Sequence, residues 1–157
     1  MTIVATRIDG RLVHGQVANL WTTKLQIDRI LVVDEEVSQS QIEKAGLRMA
    51  TPNGVKLSVL PIKTAAEHVM AGKYNSQRLF VVAKKPQTLL SLIELGVQIS
   101  EINVGNMSQT SETKHISKSI NVTDEDVATF KKLKDLGINL IAQMVPGDEA
   151  KDFNKLL

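Results

Sequence analysis

A chain of 157 residues, 43% of them hydrophobic, has the length of one domain and enough apolar surface for a core, which excludes an intrinsically disordered chain. It contains no cysteine, so a disulfide framework, a thiolate metal site and a thiol nucleophile are excluded, in keeping with a reducing compartment. Nineteen basic against seventeen acidic residues leave a formal charge of +2, and aromatic residues make up 3%, so neither the field nor the stacking rings of a nucleic-acid binder are present.

The opening MTIVATRIDGRLVHG puts charges where a signal peptide needs an apolar segment, and no stretch approaches the roughly eighteen apolar residues of a membrane span, so a cytoplasmic chain is expected. Residues 3–8 read as a first strand, followed by a helix with Val13, Val17, Leu20 and Trp21 on one face. Further strands are expected at 30–33, 55–60 and 79–83. Pro61 opens a helix that closes near Gly72, and Pro86 opens another whose apolar residues Leu89, Leu90, Leu92 and Ile93 stop at Gly96. A strand at 101–104 precedes a short extended piece around 115–122. Thr123 and Asp126 then form a capping box ahead of the stripe Val127, Phe130 and Leu133, the lysines 131, 132 and 134 favour the helix C-terminus, and Gly137 ends it before a last strand at 138–142. Strands apolar throughout, such as Ile30-Leu31-Val32-Val33, need cover on both faces. Their alternation with helices predicts an open, doubly wound, mostly parallel α/β sheet with helices on both faces, in one domain over residues 1–157.

In such sheets ligands collect beyond the carboxyl ends of the strands, so the loops there carry the chemistry. The first, Arg7-Ile8-Asp9-Gly10-Arg11-Leu12-Val13-His14-Gly15-Gln16, gathers two guanidinium groups, a carboxylate, an imidazole and two loop glycines just before a helix. A neutral imidazole has a ring-nitrogen lone pair for attack on phosphorus, which makes His14 a candidate nucleophile. Guanidinium forks answer the charge on phosphoryl oxygens, which suits Arg7 and Arg11. The helix start at Gly15 and Gln16 offers unpaired backbone N–H groups to an anion, and Gly10 and Gly15 let backbone approach a phosphate. Asp9 repels phosphate, so its expected role is to orient Arg7, Arg11 or the non-attacking nitrogen of His14. Taken singly, each of these residues also has a plain structural reading as a cap, a turn or a solvated ion pair. The residues by themselves leave a phosphoryl carrier beside a non-catalytic module that binds a phosphorylated metabolite or a phosphoprotein.

The stretch RIDGRLVHGQV resembles the phosphorylation-loop signature of the enzyme IIB component in the mannose/sorbose class of the bacterial sugar phosphotransferase system (PTS). Ile102-Asn103-Val104-Gly105-Asn106-Met107 and Val145-Pro146-Gly147-Asp148 resemble later segments of that family, so the likeness covers essentially the whole chain. The resemblance implies a relay in which a phosphohistidine-bearing IIA protein donates to Nδ1 of His14, which passes the group to a sugar imported through membrane IIC and IID components. It also implies a homodimer, held at the inner face of the membrane by its transport partners. A regulatory relative, phosphorylated without serving transport, is a third reading. The sugar itself is not legible.

Lys84, after a strand and before a helix, resembles a position where relatives carry Lys or Arg and would approach the phosphate unless it is a solvated surface charge. Gly105-Asn106 reads either as a backbone nest with an amide lining the cleft or as a tight turn leaving a strand. Ser108 stands where relatives often carry histidine, so no second imidazole is expected there. Three separated histidines with no ligand spacing predict no metal. The absence of a Walker A loop and of GxGxxG predicts no ATP or dinucleotide cofactor, leaving a protein as the phosphoryl source.

Overall fold

Strands that are apolar on both sides bury both sides, and the chain provides a helix layer for each. The computed structural model describes residues 3–157, with strands β1 (Ile3–Asp9), β2 (Arg29–Val33), β3 (Lys56–Leu60), β4 (Leu79–Ala83), β5 (Glu101–Asn106), β6 (Lys114–Ser117), β7 (Ile120–Val122), β8 (Asn139–Ala142) and β9 (Lys151–Asp152). Seven of these form one sheet in the order β3-β2-β4-β1-β5-β8-β9, parallel except for the short antiparallel β9 at its edge. The helices are α1 (Gly15–Leu25), α2 (Gln41–Ala50), α3 (Ile62–Met70), α4 (Pro86–Glu94) and α5 (Asp124–Asp135).

The alternation of β2 shows how the layers are assigned. Ile30 and Val32 join Ala18 and Trp21 of α1 and Leu47 of α2 in one core, whereas Leu31 and Val33 join Ala65 of α3, Leu89 of α4 and Phe130 and Leu133 of α5 in the other. From β1 the chain moves toward β2 through α1 on the first face. From the adjacent β5 it moves the other way, through the β6–β7 hairpin into α5 on the second. Neighbouring strands whose connections leave to opposite faces open a crevice at their carboxyl ends, and the first loop lies there.

The doubly wound sheet matches the expectation, with local corrections. The extended piece around 115–122 is a two-stranded hairpin outside the main sheet, tied to the end of β5 by Met107 N–H to Ser119 O at 2.9 Å and Asn121 N–H to Met107 O at 3.0 Å. Helix α2 and strand β9 have no counterpart among the expected elements. Helix α2 buries only Leu47 and leaves Ile42 and Met49 more than four-fifths exposed, so its apolar residues do not mark a single inward stripe. Leu20, expected on the inward face of α1, is exposed.

The capping box at α5 forms as expected. Thr123 Oγ1 accepts from Asp126 N at 3.0 Å, and the Asp126 carboxylate accepts from Thr123 N at 3.0 Å. The same carboxylate accepts from Gln87 Nε2 at 2.9 Å, joining the starts of α4 and α5. Thr123→Ala should therefore destabilise the fold by about 1 kcal/mol, read as a lowered urea midpoint with unchanged slope. An unchanged midpoint would show that α5 does not depend on its cap.

Candidate active site

The loop after β1 is held by its own backbone before any side chain acts. Gly10 N–H donates to Asn106 O at 2.9 Å, which fastens the loop to β5, and Leu12 N–H donates to Asp9 O at 3.0 Å. Leu12 takes a left-handed backbone, φ 62°, at a cost of order 1–2 kcal/mol that burial of Leu12 and Val13 in the first core offsets. The chain then turns so that His14 is the N-cap of α1, with extended backbone at φ −147° and ψ 127°. Gly15 follows at φ 42°, in open space, where a side chain would be strained.

Beneath the imidazole sits Asp9, 1% exposed. Its Oδ1 accepts from the Arg11 backbone N–H at 2.9 Å. Its Oδ2 faces His14 Nε2 at 3.1 Å and accepts from Arg7 Nε and Nη2 at 3.3 and 3.2 Å. An ionised carboxylate only accepts, so Nε2 carries the proton of the neutral ring and Nδ1 keeps the free lone pair. The His14 side chain is 23% exposed, open to an incoming group. Of the orienting roles expected for Asp9, the structure supplies contacts to Arg7 and to His14, and reaches Arg11 through its backbone.

Arg7 is placed differently from the expectation. Instead of presenting its guanidinium to a ligand, it is buried, with each of its five N–H groups used inside the chain. Besides the two bonds to Asp9, Nη1 donates to Asn103 Oδ1 at 2.7 Å and Gln143 O at 2.9 Å, and Nη2 donates to Met144 O at 2.9 Å. The Trp21 ring lies 5.3 Å from the guanidinium carbon, and its Nε1 donates to the same Met144 O at 3.0 Å. Burial pulls the Arg7 guanidinium below its ordinary value and Asp9 opposes the shift, yet an arginine stays charged through the neutral range. No donor of Arg7 is left for a phosphoryl oxygen in this arrangement.

Arg11, by contrast, has an exposed side chain without a hydrogen-bond partner among the described residues. It lines an open cavity of about 420 Å³ together with Asn106, Ser108, Lys118 and Asn121. Gly15 and Gln16 are exposed at the start of α1, where no side chain caps the helix and no acidic residue occupies the first turn. The N–H groups there remain open to an anion, and the helix dipole favours one by about 0.3–1 kcal/mol. Lys84 is half-buried and lines a separate cavity with Asp34, Glu35, Glu36 and Lys85, so it does not share the Arg11 cavity. Gly105 and Asn106 form neither nest nor turn, because both belong to β5. Gly105 is glycine for contact: a methyl there would fall inside the Arg7 guanidinium.

Trp21, Asn103, Gln143 and Met144 went unnoticed as site residues. Trp21 has the ordinary look of a core residue, and the other three meet Arg7 only because β5 lies beside β1 and β8 beside β5 in the sheet. Among the described residues no group of three His, Cys, Asp or Glu could hold a metal, and no helix is long and apolar enough to cross a membrane.

Residues 3–157 match the family model of the PTS system sorbose subfamily IIB component. The fructose-specific EIIB component of Bacillus subtilis is 33% identical over all of this chain and 96% of its own length. The mannose-specific EIIAB component of Escherichia coli is 34% identical over 94% of this chain, which spans 46% of that longer protein. The crystal structure of the IIBSor domain of the sorbose permease from Klebsiella pneumoniae superposes with a TM-score of 0.95 at 28% identity, over 99% of this chain and 96% of that one. Fold, site and relatives together define a phosphotransferase component of sugar uptake. The chain belongs to the sorbose subfamily of PTS IIB components. Relatives named for three different sugars lie at similar identity, so membership by itself names none.

Proposed function

We propose that Nδ1 of His14 accepts a phosphoryl group from a phosphohistidine on a IIA protein and hands it to a sugar entering through membrane IIC and IID components. The observation that carries this reading is the bond between Asp9 and Nε2, which leaves Nδ1 as the nucleophilic nitrogen at an uncapped helix start, in the same loop as the exposed Arg11. In the first step the Nδ1 lone pair forms a bond to phosphorus while the donor's N–P bond breaks and its electron pair returns to the donor imidazole. The phosphorylated ring gains positive character, which the Asp9 carboxylate stabilises through Nε2–H. In the second step a sugar hydroxyl attacks, the P–Nδ1 bond breaks, its electrons return to the ring, and the hydroxyl proton leaves to solvent or a base on the partner.

The chain's own contribution is positioning and charge neutralisation. Arg11, with the N–H groups of Gly15 and Gln16, is assigned to the phosphoryl oxygens, and Asn106 to the wall of the same cavity. Lys84 is left as a flanking charge. The chain works in the cytoplasm as a homodimer held at the membrane by its transport partners. The name of the E. coli mannose relative, which joins A and B components in one protein, supports the IIA partner.

Incubation with a phosphorylated IIA protein, followed by mass mapping, tests this directly. An acid-labile, alkali-stable phosphate on His14 that can be chased onto sugar by the membrane components is the expected result. Reversible binding without a covalent label would leave only a phosphoprotein-binding module, and labelling without the sugar chase would indicate a regulatory role. Arg11→Lys should slow transfer roughly tenfold with unchanged melting, because an ammonium cannot reproduce a two-pronged contact. Wild-type transfer rates in that variant would remove Arg11 from the phosphoryl group.

A further inference from the structure

The buried guanidinium of Arg7 is seated by parts drawn from four elements. Asn103 comes from β5, Gln143 and Met144 from the segment after β8, Trp21 from α1 and Asp9 from its own strand. Gly105 provides the space, since any Cβ there would collide with it. The segment after β8 is itself fastened, with Gln143 Nε2 donating to Asp148 O at 3.0 Å and Asn103 Nδ2 to Gln143 Oε1 at 3.4 Å. A guanidinium held on all five donors behaves as a rigid part of the protein, and two of those donors fix the Asp9 oxygen that meets Nε2 of His14.

We infer that Arg7, in its seat of Trp21, Asn103, Gly105 and the carbonyls of Gln143 and Met144, is a positioning residue that never touches the phosphoryl group and instead sets the tautomer of His14 through Asp9. What that tautomer is used for rests on the function proposed above, but the tautomer itself does not. Reaching a phosphoryl oxygen would require Arg7 to give up acceptors in a buried place, and each abandoned carbonyl or amide would be left unsatisfied there. With the fork intact, the Asp9 oxygen stays aimed at Nε2. Without it, the carboxylate is held only by the Arg11 backbone N–H on Oδ1, Oδ2 can turn away from the ring, and the neutral imidazole can place its proton on either nitrogen.

The test is the ring-nitrogen spectrum of His14 in the full-length, unphosphorylated chain, recorded in alkaline buffer where imidazole is neutral. Wild type should show the Nε2–H form as the dominant species. Arg7→Lys, which keeps the charge and loses the fork, and Gly105→Ala, which keeps Arg7 and fills its seat, should both show a large share of the Nδ1–H form. Phosphoryl acceptance should fall roughly tenfold to a hundredfold in each. Circular dichroism and cooperative melting establish which variants are folded. A folded variant that retains the wild-type tautomer overturns the inference. If neither variant folds, hydrogen exchange of the Arg7 guanidinium in wild type decides: slow exchange is expected of five satisfied donors, and rapid exchange overturns the assignment. The tautomer and guanidinium-exchange measurements use no donor protein, so a failure of His14 to be phosphorylated would count against the proposed relay and leave the Arg7 result standing.

Discussion

His14→Gln is expected to abolish phosphoryl acceptance from a IIA donor while leaving the fold close to wild type. The imidazole contributes little to the core: its side chain is partly exposed and its bond to Asp9 is its only side-chain hydrogen bond among the described residues. Glutamine can still donate an amide N–H toward Asp9, and the carboxylate keeps both of its Arg7 contacts, so the stability change should stay within about 1 kcal/mol. Nothing in the glutamine side chain supplies a nucleophilic nitrogen, because the amide lone pair is delocalised. Mass spectrometry of the donor-treated variant, beside its thermal melt, checks both halves. A stoichiometric phosphate on a folded His14→Gln protein would move the acceptor elsewhere.

Asp9→Asn should have the second large effect, on stability and rate together. It leaves the buried Arg7 cation without its counter-charge, and breaking a buried pair from one side costs about 3–5 kcal/mol. On the catalytic side, an asparagine that turns its NH2 toward His14, at the expense of both Arg7 contacts to that atom, donates to Nε2 and moves the ring proton to Nδ1, the nitrogen proposed to attack. Acceptance per folded molecule should drop on the order of 100-fold to 10,000-fold, by analogy with the effect of a wrong tautomer in a serine-protease triad. Rates normalised to the folded fraction separate the two losses. Near-normal rates in the folded fraction would show that Asp9 serves Arg7 alone.

The two predictions differ because the two side chains do different work in one loop. His14 stands at the boundary, at the end of a turn that buried Leu12 and Val13 hold in place, so it can be replaced without disturbing what supports it. Asp9 stands where β1 ends, at the point where backbone, guanidinium and imidazole meet. The cost of changing it is spread over the whole site. The separation also explains why two arginines four residues apart have opposite surroundings. In a strand, side chains alternate between faces, and Arg7 is inside β1, whereas Arg11 lies beyond its end and is free to reach the solvent.

The candidate site was legible in the sequence because its first loop is local. The first loop carries His14 and Arg11 a few residues beyond Asp9, which bonds the ring of one and the backbone N–H of the other, so their grouping follows from order along the chain. The parallel sheet was legible for a similar reason: apolar strands and punctuated helices alternate with clear periods, and the one omitted helix, α2, buries a single residue. Two readings failed where the deciding contact is distant. Arg7 looks like a phosphate ligand until Asn103, Gln143 and Met144 are brought against it from far along the chain. Gly105 looks like a turn residue until its neighbour is seen to be a guanidinium rather than a bend.

The amino-acid sequence by itself determined which residues meet in the first loop, the layered α/β architecture and the family signature, since each is written in short-range order and periodicity. Only the tertiary structure decided which ring nitrogen faces Asp9, which arginine is buried and which is open, and that Lys84 lines a different cavity from Arg11. The physical reason is that a hydrogen bond to a buried carboxylate, or the occupation of all donors on a guanidinium, depends on strand neighbours that the chain order does not list.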